Sequence, residues 1–100
     1  MGRRPSPLPE DDVRRRLAGS GSAWQLHHAR LTRTLRFGSY GEVIRFVNEV
    51  AQLAEDLDHH PELTVTYREV TVRLWSHDAG GVTDRDFDLA GRIDVLAPPS

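Results

Sequence analysis

The stretch Leu63-Thr64-Val65-Thr66-Tyr67-Arg68-Glu69-Val70-Thr71-Val72-Arg73-Leu74 decides the fold. Leu63, Val65 and Tyr67 alternate with other residues, and so do Val70, Val72 and Leu74. Alternation at period two marks a half-buried strand. The parity switches across Arg68-Glu69, which reads as a hairpin. A two-residue loop there pairs Tyr67 with Val70, Val65 with Val72 and Leu63 with Leu74, all on one face. Extended further, the same register sets His60 opposite His77. Arg-Glu is poor chemistry for a type I′ turn, so a bulge is the alternative. Pro61 limits how far the pairing can run.

Upstream of the hairpin, Ser39-Tyr40-Gly41-Glu42 has the form of a capping box. Val43, Phe46, Val47, Val50, Leu53, Ala54 and Leu57 then recur at helical spacing. The expected helix, about residues 40–56, carries Glu55 in its last turn and delivers His59 and His60 just past its end. Before it, Leu31, Leu35 and Phe37 alternate with Thr32, Thr34 and Arg36. They read as a strand, with Trp24–Arg30 as its partner. Pro9 suits the first turn of an earlier helix, with Glu10, Asp11 and Asp12 near its positive end and Val13 and Leu17 as its apolar stripe. Gly19-Ser20-Gly21-Ser22 ends it. Downstream, Asp78-Ala79-Gly80-Gly81 is a loop, and Thr83-Asp84-Arg85-Asp86 is an acidic capping pattern. Phe87, Leu89, Ala90, Ile93 and Leu96 give a last helix, about residues 84–96, its buried side. The order is helix, two strands, helix, two strands, helix. Residues 1–8, with Pro5 and Pro7, are expected to be a flexible arm, and residues 9–97 a single domain.

Composition narrows the function classes. The chain has 100 residues, 28% of them charged, and a formal net charge of −2. That balance argues against a dedicated nucleic-acid binder, whose affinity rests on phosphate neutralisation. Without cysteine, neither a disulfide framework nor a thiolate zinc site can form. No stretch approaches 18 apolar residues and Met1–Pro9 has no apolar h-region, so no membrane association and a cytoplasmic location are expected.

The chemistry lies in Glu55-Asp56-Leu57-Asp58-His59-His60-Pro61, His77 and Asp86. Imidazoles beside carboxylates suit proton transfer near neutral pH. The plain reading of His59-His60-Pro61 is a polar helix exit, and that of Asp86 a helix cap. Zinc could use His59, His60 and His77, but adjacent residues of extended chain point to opposite sides, and the helical His-Glu-x-x-His spacing is absent. No metal is expected. His27 and His28 have no acidic neighbours at useful spacing and read as ordinary strand or surface residues. Gly80-Gly81 reads as a turn rather than a phosphate cradle.

Glu55-x-x-x-His59-His60-Pro61, Tyr67, His77, Gly81-Val82-Thr83-x-x-Asp86 and Leu89-Ala90 together resemble the pterin-4a-carbinolamine dehydratases, over about residues 22–96. His77 follows His60 by 17 residues and Asp86 follows His77 by nine, a specific combination. The resemblance implies an α+β fold, three helices packed on one face of a four-stranded antiparallel sheet, in agreement with the element order. It implies catalytic His59, His60 and His77, with Glu55 and Asp86 as supporting acids and no cofactor. Pro61, Leu63, Trp75 and Ser76 would line the substrate pocket. Leu63 stands where the family commonly has an aromatic residue, and Trp75 where it usually has a small one. The implied reaction is dehydration of a 4a-hydroxytetrahydropterin to a quinonoid dihydropterin, as in tetrahydrobiopterin recycling, with an aromatic amino-acid hydroxylase as a metabolic client. Homodimers or homotetramers are also implied, and the exposed edges of an open sheet give a physical reason for them. The alternative is a non-catalytic role as a protein-partner or assembly scaffold of the same fold.

Overall fold

The computed structural model describes residues 6–98. In chain order the elements are α1 (Glu10–Ser20), β1 (Gln25–His27), β2 (Arg30–Arg36), α2 (Tyr40–Leu57), β3 (Glu62–Val65), β4 (Glu69–Leu74) and α3 (Asp84–Leu96). The strands form one antiparallel sheet in the order β1-β2-β4-β3. This is the expected α+β arrangement of three helices and four antiparallel strands.

The central pair, β2 and β4, builds the sheet side of the core. Leu31 pairs with Leu74 and Leu35 with Val70, and Val72 sits opposite Arg33. Val43, Phe46, Val50 and Ala54 of α2 and Leu89, Ala90 and Ile93 of α3 are buried with these residues in one cluster or against it. At roughly 1.5–3 kcal/mol for each large aliphatic side chain removed from water, this cluster is the main driving force for folding. The opposite face is polar, and a hydroxyl contact of 2.9 Å joins Thr34 to Thr71 across it. Arg33 is the exception on the helix side. Its guanidinium donates to Asp94 of α3, which also accepts from the Trp24 indole N–H at 2.7 Å.

Local chemistry sets the helix ends. Ser39 Oγ accepts from Glu42 N at 3.2 Å, as the capping pattern predicts, but Glu42 Oε2 reaches Gly38 N at 2.9 Å rather than the amide of Ser39 itself. Gly21 closes α1 in the left-handed region, with φ 62°, where glycine meets no Cβ penalty.

Two expectations need correction. The β3–β4 register is displaced by two residues: Leu63 pairs with Val72 and Val65 with Val70. Arg68-Glu69 would need positive φ at both positions for a two-residue turn. The chain makes a wider turn instead, in which Thr66 N donates to Glu69 O at 2.9 Å. Tyr67 therefore leaves the sheet and stacks on Tyr40, with ring centroids 6.5 Å apart. The opposition of His60 and His77 goes with the old register. In addition, β1 is shorter than Trp24–Arg30, because His28 and Ala29 form a two-residue turn with φ of 50° and 61°. Neither residue carries the Asn or Gly signature of such a turn.

Residues 1–5 of the expected N-terminal arm lie outside the described residues. Within the rest of it, Leu8 packs against the core and its amide donates to Val82 O at 2.8 Å. A Cβ on Gly81 would come within 2.9 Å of Pro7 Cβ, so the close approach of this segment depends on glycine there.

Candidate active site

The site begins at the exit of α2. Asp58 caps the helix in the left-handed region (φ 49°, ψ 45°), and His59 N donates back to Ala54 O at 3.0 Å. Aspartate tolerates this conformation better than most residues. The sharp turn sends the next two side chains into different surroundings.

His59 goes inward. Its side chain is 11% exposed, and Nε2 lies 2.5 Å from Oδ1 of Asp86, whose side chain is fully buried. The other oxygen of Asp86, Oδ2, accepts from Ser76 Oγ and from Thr83 N, each at 2.9 Å. A carboxylate holding these donors is acceptor-only, so Nε2 of His59 carries a proton toward it and Nδ1 is turned away from Asp86. The same logic orders the hydroxyls. Ser76 donates to Asp86, Thr83 donates to Ser76 across 2.8 Å, and Thr83 Oγ1 is left to accept from Arg85 N at 3.3 Å. Among the described residues no buried side-chain nitrogen or oxygen lacks a partner. That satisfaction is what makes a buried carboxylate tolerable.

Asp86 thus does two jobs that the sequence presents as alternatives. Oδ2 closes the capping box of α3 with Thr83, while Oδ1 holds His59. It also brackets two segments far apart in the chain, the exit of α2 and the end of β4, where Ser76 immediately precedes His77.

His60 goes outward. Its Nε2 lies 3.0 Å from Glu55 Oε2, with side chains 57% and 73% exposed. Glu55 therefore serves His60, on the surface. His77 is also exposed and begins a tight turn closed by the Ser76–Gly81 bridge, in which Ser76 N donates to Gly81 O at 2.8 Å. Its ring lies 4.5 Å from the Trp75 ring. Arg85 donates to Asp78 at 2.5 Å beside this turn, and that bond holds the Asp78 carboxyl below its ordinary value.

The expected pocket residues divide. Ser76 is only 1% exposed and its hydroxyl is committed to Asp86, so it supports the site from beneath and is not free for substrate. Leu63 is half-buried against the core. Pro61 and Trp75 are half-buried beside the histidines in the chain. The structure links His59, Asp86 and Ser76 in one network, His60 to Glu55, and His77 to Trp75. Among the described residues, no three His, Asp or Glu side chains converge as a metal cage would require. Two neighbours of these residues were not singled out by the sequence: Thr83 entered only as a helix cap and within the family motif, and Arg30, whose guanidinium carbon sits 4.0 Å over the Trp75 ring, carries no sequence signal at all.

Comparison with known proteins shows the family and the fold. The family model for pterin 4 alpha carbinolamine dehydratase matches residues 6–96. A relative from Natronomonas pharaonis, provisionally named a pterin-4-alpha-carbinolamine dehydratase, is 44% identical over 90 residues, which cover 90% of this chain and 95% of the relative. A similarly named protein from Sulfolobus acidocaldarius is 38% identical over 89% of this chain and 97% of its own length. Among solved structures, a transcriptional coactivator/pterin dehydratase from Brucella melitensis superposes with a TM-score of 0.86 at 30% identity, covering 93% of this chain and 100% of that one. A pterin dehydratase-like protein identified as a RuBisCO assembly factor in the alpha-carboxysome gives a TM-score of 0.67 at 26% identity, covering 79% and 94%. With residues 6–96 matched by the family model and a relative 44% identical over 90 residues, this protein belongs to the pterin-4a-carbinolamine dehydratase family.

Proposed function

We propose that the protein dehydrates a 4a-hydroxytetrahydropterin to the quinonoid dihydropterin. The observation that carries this reading is the Asp86 bracket, which locks His59 on one oxygen and the residue preceding His77 on the other. The reaction breaks the C4a–O bond. A proton goes to the departing hydroxyl, which leaves as water, and the N5 proton is removed. Exposed imidazoles suit both transfers, and we assign them to His60 and His77. His59 would orient the substrate through Nδ1, since its Nε2 is held by Asp86. Glu55 would hold the His60 ring in place from the solvent side.

The test is turnover of chemically generated 4a-hydroxytetrahydropterin by purified, chelator-treated protein. A rate clearly above the buffer reaction is expected. No acceleration would overturn the reading, and activity that returns only with added zinc would point to a metal site instead. A second reading, as an assembly or partner protein, is favoured by the likeness to the RuBisCO assembly factor and by the exposed Tyr40, Ile44, Val65 and Tyr67. An inactive protein that binds a partner would support it.

The proposal includes self-association as a homodimer or homotetramer, since β1 and β3 each leave an edge unpaired. Light scattering on the full chain tests this, and a monomeric mass at micromolar concentration would refute it. A cytoplasmic location and service to an aromatic amino-acid hydroxylase also belong to the proposal, to be tested by cell fractionation and by a coupled hydroxylase assay. Among the described residues no helix is long and apolar enough to cross a membrane.

A further inference from the structure

Most arginines among the described residues engage a carboxylate: Arg14, Arg15, Arg16, Arg33, Arg36, Arg73, Arg85 and Arg92 all do. Arg30 does not. It is half-buried at the start of β2, and its guanidinium carbon lies 4.0 Å from the centre of the Trp75 ring. Trp75 is itself half-buried, and its ring stands 4.5 Å from that of His77. One indole therefore contacts both a guanidinium that engages no carboxylate among the described residues and an imidazole of the candidate site. A cation over an indole face is attracted by the ring quadrupole, which fixes its position without using its N–H donors. Those donors form a planar fork that matches the oxygens of a phosphate or carboxylate.

We infer that Arg30 and Trp75 form a specificity platform that selects pterins whose side chain ends in an oxyanion, a phosphate or a carboxylate. This rests on the dehydratase reading of the site and adds a substrate class to it. The reacting edge of the bicycle meets His77, while the side chain extends past the indole toward Arg30. The carboxylate closest in sequence to His77, Asp78, is occupied by Arg85 and does not compete for Arg30.

The experiment is calorimetric titration of the full chain with three non-reacting oxidised pterins: neopterin, which is neutral in its side chain, neopterin monophosphate, and folic acid, whose tail carries carboxylates. Neopterin monophosphate is expected to bind about tenfold more tightly than neopterin, the usual worth of one charge-assisted hydrogen bond at a partly exposed site. The gain should shrink in high salt. Arg30→Gln should bring the two within about twofold while leaving neopterin unchanged, and Trp75→Ser should erode the gain through loss of the platform. Folic acid tells the sources apart: a gain equal to that of the phosphate means that any oxyanion is read, and a gain for the phosphate alone narrows the class to phosphorylated side chains. Equal affinity for neopterin and both anionic pterins, or a gain that survives Arg30→Gln, overturns the inference and leaves the dehydratase reading standing. Failure of all three to bind overturns both.

Discussion

His59 and His60 are neighbours in the chain and opposites in the fold. One imidazole is nearly buried against a fully buried carboxylate that also caps a helix. The other is mostly exposed and shares a surface carboxylate with solvent. The difference arises at Asp58, whose left-handed backbone separates the two side chains. Adjacent histidines of the same motif thus meet different surroundings: His59 is held and oriented by Asp86, and His60 stands open to solvent. A buried pair and an exposed pair also differ in worth. Breaking the first leaves an uncompensated polar group inside the protein, while breaking the second removes a contact that water and salt already weaken.

The largest expected effect breaks the inner half. Asp86→Ala removes the acceptor of His59, the partner of Ser76 and one arm of the α3 capping box together. Thermal denaturation should show a loss of about 3–5 kcal/mol, and activity should fall with it. A Tm within a few degrees of the parent would show that the bracket does not hold the site together. Next come His60→Ala and His77→Ala, each expected on the proposed mechanism to lower kcat/KM by about 10²–10⁴-fold, with little change in Tm because both imidazoles are exposed. His27→Ala is the control, expected to be near neutral. Equal losses from all three would remove any distinction between the site and the surface. A smaller effect sharpens the outer half. Glu55→Gln should change stability by less than about 1 kcal/mol and lower kcat/KM less than His60→Ala does, since Glu55 only positions the imidazole. An unchanged kcat/KM would show that Glu55 is a bystander. The smallest effect concerns the turn after His77. Arg85 lowers the Asp78 carboxyl below its ordinary 3.8, so the contribution of this exposed pair is present above that pH and is lost as pH falls through the lowered value. Asp78→Asn should therefore lower Tm slightly at pH 7, with the difference vanishing in acid or in high salt. A difference that persists at pH 2 would mean that the pair acts by packing rather than by charge.

Much of this molecule was legible in its residues. The stripe from Val43 to Leu57 and the cap at Ser39 place α2 nearly to the residue, and the spacing of His60, His77 and Asp86 points to the family. What could not be read follows from two physical facts. A slip of two residues between β3 and β4 keeps every side chain on its face, so the apolar pattern of Leu63, Val65, Val70 and Val72 is equally content with either register. The turn geometry chose, and with it went the opposition of His60 and His77. The partner of a polar side chain is likewise a matter of three-dimensional proximity. Glu55 precedes His59 by one helical turn, yet the left-handed Asp58 gives it to His60, while His59 finds Asp86 27 residues away. The sequence by itself therefore determined the elements, their buried faces and the inventory of proton-transferring groups, because these depend on local periodicity and residue chemistry. Only the tertiary structure decided which imidazole is locked and which is free, that Ser76 lies beneath the site, and that Arg30 rests on Trp75, because those pairings depend on how the end of one strand and the exit of one helix meet across the core.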